Sequence, residues 1–355
     1  MATFVFEDIT ADQATSYSAA ADSLSFQTPG ATGSIVSVAF SPSPEQVMVT
    51  MGSRTMAFGA GIYGEGGINF PNGSTLYVGG PAAEAAVGTG LADGLYGGQG
   101  QDTLDGGTGD DLLQGNQGGD SLTGGEGDDV VYGGRDDDVV DVGLGANFGQ
   151  GNIGADTVSA AAGAGRNTLL GGQGEDMITG AGDADFLNGN LGSDSIAGDG
   201  GGDILRGEDG ADTLNGGAGA DTLDGGAGPD RFDFAPGSSG VTLEGADRID
   251  GWSAEDRIDT PGAGGASAYY QIPTPIYGGG GGYGGGDYGM PGAMSFDQAL
   301  GQADAWMRGH SDYIITAQVI EGVAVFVDSD GDRLADLAIL LMGANVFEVA
   351  GGLFV

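Results

Sequence analysis

Apolar residues recur at every ninth position through the middle of the chain. Residues 88–233 divide into sixteen nine-residue repeats, called nonads below, in two sets of eight separated by Ala160-Ala161. The eighth position is apolar in every nonad except the one that carries Gly149. The Gly-rich first half of each nonad predicts a turn, and the apolar position with its two neighbours predicts a three-residue strand. Two nonads therefore close one flattened coil, and we predict a β-roll, a parallel β-helix solenoid, over residues 88–234.

Residues 1–87 have a shorter, alternating pattern of apolar positions. Thr10 and Gln13 have capping-box spacing and predict one early helix. Gly52-Ser53 and Asn72-Gly73 are turn signals, and the second is a strong hairpin cue. We therefore predict a small N-terminal β-rich domain, with short strands at Val36-Val38-Phe40, Val47-Val49-Met51 and 75–78.

Residues 235–355 predict a C-terminal β-rich cap with one helix. Ser295 and Gln298 again have capping-box spacing and predict a helix. Residues 261–293 are Gly/Tyr-rich and predict a low-complexity loop. Strands are predicted at Arg248-Ile249, Arg257-Ile258, 323–327 and 337–341, so the fold class is predominantly all-β.

The charge is strongly one-sided. Fifty-one Asp and Glu residues oppose nine basic residues, all of them Arg, and the net charge is −42. This charge excludes nucleic acid and anionic membrane surfaces as partners and favours cations. The chain has no cysteine, hence no disulfide, and no apolar run long enough for membrane insertion. The N-terminus lacks the features of a Sec-type signal peptide, so secretion is expected to use another route.

The sixth position of the nonad carries the candidate chemistry. It is Asp in fourteen nonads and Asn in two, Asn147 and Asn167. Coils of eighteen residues stack these side chains, and rows of like charge repel. Ca²⁺ removes this conflict, because it accepts six to eight oxygen ligands and Gly-rich turns expose carbonyls beside each carboxylate. The metal would then supply folding energy that the thin core lacks. The candidate ligands are Asp93, Asp102, Asp111, Asp120, Asp129, Asp138, Asp156, Asp176, Asp185, Asp194, Asp203, Asp212, Asp221 and Asp230.

The repeated pattern GGxGxDxUx resembles the nonapeptide repeat of the RTX (repeats-in-toxin) family. The resemblance implies that each calcium ion lies between turns of successive coils on one side, which gives up to about fourteen ions. The segments DRFDF, ADRIDGW, EDRID and VFVDSDGDRLADLAILLMG resemble the region after the repeats in serralysin-type RTX exoproteins. That resemblance implies an uncleaved signal for the type I secretion machinery and a secreted, extracellular protein.

Asn147 and Asn167 are neighbours in one row of turns and flank Ala160-Ala161. We expect the metal site between them to be weak or empty. The alternative is that Asn replaces Asp there as a neutral ligand. For the aspartates, the alternative is that they are solvated turn residues that bind no ion.

Other candidate sites have simpler interpretations. DSDGD at residues 328–332 resembles the start of an EF-hand loop, but Ile339 stands where the twelfth-position Glu is expected, so we predict a hairpin turn. His310 is the only histidine, and we expect a surface residue. HExxH is absent, a single histidine without cysteine cannot build the usual zinc centre, and a Ser-His-Asp triad would have to use His310, so the protein is expected not to be an enzyme.

Two functions remain in view. The favoured one is a calcium-folded structural protein that self-assembles outside the cell, as a homo-oligomer or polymer, into a filament, surface lattice or matrix. The alternative is a monomeric extracellular binding module or adhesin that uses residues 1–87. The same residues are equally interpretable as a cap that covers the exposed end of the solenoid.

Overall fold

The structure is a computed structural model of the protein. It describes residues 3–17, 23–28, 31–42, 45–58, 62–64, 68–161, 165–235, 238–240, 242, 245–253, 255–259, 269–271, 296–308, 314–318, 322–327, 335 and 337–342. They form two compact units, Met1–Gly192 and Ser193–Val355. In these residues the fold is nearly all-β, with parallel solenoid coils and two short α-helices, which confirms the predicted fold class.

The first unit begins with two small sheets. Strands β1, β2 and β6 form a parallel sheet, and β3, β4 and β5 form an antiparallel one. The elements are β1 Thr3–Val5, α1 Ala11–Thr15, β2 Ser23–Ser25, a 3-10 helix Gly33–Ile35, β3 Ser37–Pro42, β4 Glu45–Met51, β5 Arg54–Phe58 and β6 Ile68–Asn69.

The local signals in this segment have mixed outcomes. The capping box is confirmed, because Gln13 N donates to Thr10 Oγ1 and Thr10 N donates to Gln13 Oε1. The hairpin at Gly52-Ser53 is confirmed by the pairing of β4 with β5. The hairpin at Asn72-Gly73 is wrong. Its turn separates β6, which pairs with β2, from the first solenoid strand, because pairing to distant strands overrides the local cue.

Parallel coils occupy the rest of the first unit. Strands of alternate nonads pair in parallel, eighteen residues apart, as in Leu104↔Leu122 and Leu113↔Val131. The offset becomes twenty residues where Ala160-Ala161 is inserted, as in Val158↔Ile178. One sheet contains β7, β9, β11, β13, β15, β17 and β19, and the other contains β8, β10, β12, β14, β16 and β18. The strands are β7 Leu76–Val78, β8 Ala85–Val87, β9 Gly94–Gln99, β10 Thr103–Thr108, β11 Leu112–Gln117, β12 Ser121–Glu126, β13 Val130–Arg135, β14 Val139–Asp141, β15 Phe148–Ile153, β16 Thr157–Ser159, β17 Thr168–Gln173, β18 Met177–Thr179 and β19 Phe186–Leu191.

The core of the coils is the predicted apolar stripe. All fifteen apolar eighth-position side chains are at most 1% exposed. At the N-terminal end of the first unit, the coil residues Leu76, Val78 and Tyr96 join the apolar cluster of the small sheets. The buried Tyr96 hydroxyl donates to the carbonyl of Val36 at 2.6 Å. The N-terminal segment and the first coils therefore share one core.

The second unit also contains parallel coils. Strands β20, β23, β26 and β28 pair in order, as do β22, β25, β27 and β32, and β21 pairs with β24. Antiparallel strands β31 and β30 extend the second of these sheets, followed by β29. The elements are β20 Ser195–Ala197, β21 Gly200–Gly201, β22 Ile204–Asp209, β23 Thr213–Asn215, β24 Ala218–Gly219, β25 Thr222–Ala227, β26 Arg231–Asp233, β27 Asp247–Asp250, β28 Arg257–Asp259, β29 Tyr269–Gln271, α2 Phe296–Met307, β30 Ile314–Gln318, β31 Gly322–Val327 and β32 Leu337–Met342.

The predicted C-terminal elements are present. α2 is the predicted helix, β31 and β32 lie within one residue of the predicted strands, and Ala299 and Ala303 pack into a core with Phe326 and Leu340. β29 lies inside the segment predicted as a loop, because residues 269–271 lack the glycines that surround them. Neither described helix is long and apolar enough to cross a membrane.

Candidate calcium sites

The sixth-position side chains form hydrogen-bonded ladders along the turns. In twelve of them Oδ1 accepts a hydrogen bond, at 2.7–3.0 Å, from the backbone N–H of the corresponding residue one coil earlier. This coil-to-coil bond confirms that these side chains stack every eighteen residues. In the first unit, row 1 contains Asp93, Asp111, Asp129, Asn147, Asn167 and Asp185, and row 2 contains Asp102, Asp120, Asp138, Asp156 and Asp176.

The second oxygen of most of these carboxylates is buried without a hydrogen-bond partner. All sixteen sixth-position side chains are at most 3% exposed. A buried polar oxygen without a partner is costly and requires an explanation, such as an ion. Within the described residues, the unpartnered Oδ2 atoms include those of Asp102, Asp111, Asp120, Asp129, Asp138, Asp156, Asp212, Asp221 and Asp230.

The ladders disfavour negative charge in the absence of a cation. Burial, together with the nearby carboxylates of Asp120 and Asp156, raises the pKa of Asp138 to about 8 against the lowering effect of the hydrogen bond from Asp120 N. Burial likewise raises the pKa of Asp111 to about 7 and that of Asp102 to about 6. A bound cation would reverse this preference and keep the carboxylates ionised.

Glycine at the first position makes room for the unpartnered oxygen. A Cβ placed on Gly106 would lie 2.5 Å from Asp111 Oδ2 and 2.5 Å from the carbonyl oxygen of Gly124, one coil later. The same pair of neighbours, an Oδ2 of its own nonad and a carbonyl of the next coil, surrounds Gly115 and Gly207. A side chain at these glycines would fill the space where carboxylate and carbonyl oxygens converge.

This donor set suits calcium. Among the described residues, no three acidic or histidine side chains converge on one point. An ion would therefore be held by one or two sixth-position carboxylates together with backbone carbonyl oxygens of adjacent turns. Oxygen ligands of mixed type and flexible geometry are those that Ca²⁺ prefers. The residues present thus fit calcium, whose charge would neutralise the buried row.

Two of the predicted ligands have a different environment. Asp93 Oδ2 accepts hydrogen bonds from Thr89 N at 2.5 Å and Thr89 Oγ1 at 2.9 Å. Asp185 Oδ2 accepts one from Ala181 N at 2.8 Å. At both aspartates, the backbone N–H of the second residue of the nonad bonds the Oδ2 atom that would otherwise be free to bind an ion. The assignment of these two residues as ligands stays a prediction.

The structure adds three acidic residues to the ladders. Glu84 occupies the sixth position of an unrecognised nonad, and its N–H donates to Asp102 Oδ1. In the second unit, Asp247 accepts from Asp221 N and Asp256 from Asp230 N. Two signals were available in the sequence. Gly79-Gly80 stands at nonad spacing before Glu84, and the motif Asp-Arg-Ile-Asp occurs twice, nine residues apart.

These three residues differ in whether their second carboxylate oxygen has a hydrogen-bond partner. Asp247 Oδ2 is buried and unpartnered, and burial raises the pKa of this carboxyl to about 7. Asp256 Oδ2 accepts from Ser253 N, and Glu84 Oε2 accepts from Gly80 N. Only Asp247 thus extends the pattern of the unpartnered oxygens.

The remaining candidates lie outside the described residues. These are the DSDGD turn at 328–332, His310 and most of the Gly/Tyr-rich loop 261–293.

Comparison with known proteins agrees with the repeat. The chain matches the family model of the RTX calcium-binding nonapeptide repeat (4 copies) over residues 79–113, 87–122, 114–149, 162–196 and 197–232. These segments are RTX calcium-binding nonapeptide repeats, which confirms the resemblance seen in the sequence, and the first match includes the nonad of Glu84.

No curated protein matches the chain. Among solved structures, the solution structure of the AlgE6R3 subunit from the Azotobacter vinelandii mannuronan C5-epimerase is similar, at 27% identity over 49% of this chain and 78% of that one. Its TM-score of 0.30 is too low to carry an argument about function.

Proposed function

We propose that the protein is a secreted structural protein that folds when its RTX repeats bind calcium outside the cell and then self-associates. The observation that carries the calcium step is the pair of buried ladders with unpartnered Oδ2 atoms. Mass action links folding to calcium, because ions that bind only the folded roll stabilise it in proportion to the logarithm of their concentration. Scarce cytosolic calcium would leave the chain unfolded, and extracellular calcium would fold it.

Charge distribution supports self-association. The outward side chains at the first and third positions of β13, β15 and β17 are uncharged, in a chain of net charge −42, and the one charged residue of these three strands is Arg135 at the end of β13. They include the ring pair Tyr132 and Phe148, with centroids 5.5 Å apart. The outward side chains of the opposite sheet include Asp105 and Asp141. Two copies of such an anionic chain would meet with least repulsion at the uncharged face, which consists of Val130, Tyr132, Phe148, Gln150, Thr168 and Leu170.

The N-terminal segment is better explained as a cap than as a separate binding module. Its core is continuous with the first coils, and Tyr96 donates to Val36 across that junction. Solenoid ends need such covers because their strand edges are otherwise open. The adhesin remains the second candidate, and it would require a ligand for residues 1–87 that a monomer binds.

Sedimentation separates the two candidates. The full chain is refolded in EGTA and in a few millimolar Ca²⁺, the range suited to weak extracellular sites. A change from an expanded monomer to large species supports the structural assembly. A change to a compact monomer alone refutes self-association and favours the binding module.

A matched pair of variants tests the uncharged face. Phe148→Asp adds a charge to it, and Val139→Asp adds one to the opposite sheet, where Val139 is 52% exposed. We expect Phe148→Asp to reduce association in calcium without changing the number of bound ions, and Val139→Asp to leave both unchanged. Equal effects of the two variants would show that association does not use this face.

Export is proposed to use a C-terminal type I signal. Deletion of residues 320–355 is expected to abolish export. Phe326→Asp is the control, because Phe326 is buried in the C-terminal core. This variant disturbs folding but leaves the linear segment in place, so its export should persist. Export of the deleted chain would disprove the signal.

A further inference from the structure

One nonad, residues 142–150, departs from the repeat at three positions that determine an ion site. Val142 replaces the first glycine, Asn147 replaces the sixth-position aspartate, and Gly149 replaces the eighth-position apolar residue. The next nonad of row 1 has Asn167 at its sixth position. The turns at Asn147 and Asn167 therefore face each other without any sixth-position carboxylate.

The two amides continue the ladder and satisfy their own polar groups. Asn147 Oδ1 accepts from Asp129 N at 2.8 Å, and Asn167 Oδ1 accepts from Asn147 N at 3.0 Å. These N–H donors fix which end of each amide is oxygen. The amide nitrogens then lie where Oδ2 lies in an aspartate.

Those nitrogens donate to oxygens of their own turns and of the next turn in the row. Asn167 Nδ2 donates to the carbonyl of Gly165 at 2.7 Å and to Asp185 Oδ1 at 3.1 Å. Asn147 Nδ2 donates to the carbonyl of Gly143 at 3.4 Å. An amide NH₂ has hydrogens only and cannot ligate a metal, so this junction presents donors where the turns of Asp111 and Asp129 present unpartnered acceptors.

Val142 takes the first position, where a glycine elsewhere leaves room for the unpartnered oxygen, and its side chain fills the core. Its side chain is fully buried. A Cβ placed on Gly149 would lie 2.6 Å from Val142 Cγ1 and 3.1 Å from Leu169 Cδ2. The volume that an eighth-position side chain fills elsewhere is thus filled here from the first position. The two substitutions compensate each other in the core and leave no first-position glycine beside Asn147.

We propose that the junction between Asn147 and Asn167 binds no calcium and is held closed by its own amide groups and by the packing of Val142. This calcium-independent junction, called the joint below, therefore interrupts row 1. Row 2 continues past it through Asp138, Asp156 and Asp176. The inference rests on the proposed function only in that the other turns bind calcium. In the calcium-free chain, this joint is the part of row 1 that buries no repelling charge.

Ion counting tests the joint directly. Native mass spectrometry of the full chain in saturating Ca²⁺ compares wild type with Asn167→Ala and with Asp156→Ala, the matched position in row 2. We expect Asn167→Ala to keep the wild-type ion count and Asp156→Ala to lose at least one ion. Loss of an ion in Asn167→Ala would overturn the inference. If wild type binds no calcium, the proposed function itself fails.

A core swap provides a second test that does not depend on counting ions. Val142→Gly creates a cavity, and Gly149→Leu overpacks against Val142, so each single variant is expected to lower the thermal midpoint in calcium. The double variant restores the arrangement of the other nonads and should recover most of the summed loss. Additive losses would show that the two positions are not coupled and that Val142 does not close the joint.

Hydrogen exchange at limiting Ca²⁺, enough to keep the roll folded but too little to fill every site, measures the joint against sites that lose their metal. The Asn147 amide, which donates to Asn167 Oδ1, is expected to exchange more slowly than the Asp111 amide, which makes the same bond to Asp129. Faster or equal exchange at Asn147 would contradict a calcium-independent joint.

Discussion

At the scale of the residue, the central feature is an aspartate whose two oxygens have different roles. Oδ1 is committed to a backbone N–H of the previous coil, and in most turns Oδ2 is buried without a partner. The first oxygen fixes the position of the carboxylate, and the second is available to a cation. We therefore expect the same residue to stabilise the roll in calcium and to destabilise it in its absence.

Asp138→Asn should separate these two effects. Asn keeps an acceptor for Asp120 N and removes the buried charge. In EGTA we expect the free energy of unfolding to rise by about 1–3 kcal/mol, the usual penalty of an unsatisfied buried group. In calcium we expect at least one ion fewer and a lower stability than wild type. Circular dichroism measures the change in the folded fraction in EGTA, and denaturant titration measures the change in stability in calcium.

Asp137→Asn is the control for this prediction. Asp137 is the adjacent residue and is exposed. It should change neither the ion count nor the calcium-free stability appreciably. A loss of stability in EGTA for Asp138→Asn would contradict the model of a repelled, buried carboxylate.

Gly106→Ala should fill the space that this glycine leaves beside Asp111 Oδ2. The new Cβ would lie 2.5 Å from both Asp111 Oδ2 and the Gly124 carbonyl, so the oxygens must move apart. We expect a loss of about 1–3 kcal/mol, the usual range for overpacking, and a weaker ion site. Gly182→Ala is the matched control, since a Cβ there meets nothing within 4 Å. Equal stability of the two variants, measured in calcium, would show that the space beside Gly106 is not needed for a stable roll.

At the scale of the element, the pairing of each strand determines the position of the turn that precedes it. The strand sets the eighteen-residue register, and this register places the Oδ1 of each aspartate within hydrogen-bond distance of the N–H of the corresponding residue one coil earlier. The insertion of Ala160-Ala161 changes the offset to twenty without breaking the ladder, as the bond from Asp156 N to Asp176 Oδ1 shows. The extra residues are accommodated between the strands, so sheet register controls the geometry of the ladder.

The ladder as a whole should make calcium-free stability depend on pH. The raised pKa values, from about 6 for Asp102 to about 8 for Asp138, lie above the value of about 4 for an unfolded Asp. Protonation therefore favours the folded state. This contribution is fully present below about pH 4 and is lost as pH rises through about 6 to 8.

Circular dichroism in EGTA between pH 4.5 and pH 8 measures this dependence. We expect more folded protein at the acid end. The apparent affinity for calcium should follow the opposite trend and rise with pH, because protons compete for the same oxygens. Calcium-free protein that is equally folded at both ends would refute the raised pKa values.

At the scale of the whole molecule, charge and a thin core make folding conditional. The net charge is −42, and each nonad contributes about one buried apolar side chain. Self-repulsion on this scale opposes a compact state. About fourteen calcium ions, if all the predicted sites fill, would remove most of the charge where it is most concentrated.

Small-angle scattering should therefore distinguish ion binding from simple screening. In EGTA we expect a radius of gyration near that of an unfolded chain, about 70 Å for this length. Millimolar Ca²⁺ at low protein concentration should reduce it by more than half. High NaCl in EGTA screens charge but does not supply ligand bonds, so it should not reproduce the compaction. If NaCl alone compacts the chain, the metal is not required.

The sequence by itself determined the repeat, its coil and the residue type at each turn. A period of nine with one apolar position fixes which side chains face inward, and those positions are buried in the structure. The ligand class also follows from the sequence, because only oxygen donors recur at the turns. Such properties depend on near neighbours and on exact periodicity, so the pattern alone is sufficient to predict them.

Only the tertiary structure shows which nonads differ from the others in their hydrogen bonds and packing. Thr89 and Ala181 cap Asp93 and Asp185, and Val142 fills the space at Gly149. Asp247 joins its ladder twenty-six residues after Asp221 instead of eighteen, which breaks the period that revealed the others. The hydrogen bond from Tyr96 to Val36 joins residues sixty positions apart. Such contacts depend on which distant atoms the coils bring together, and no local pattern encodes that distance.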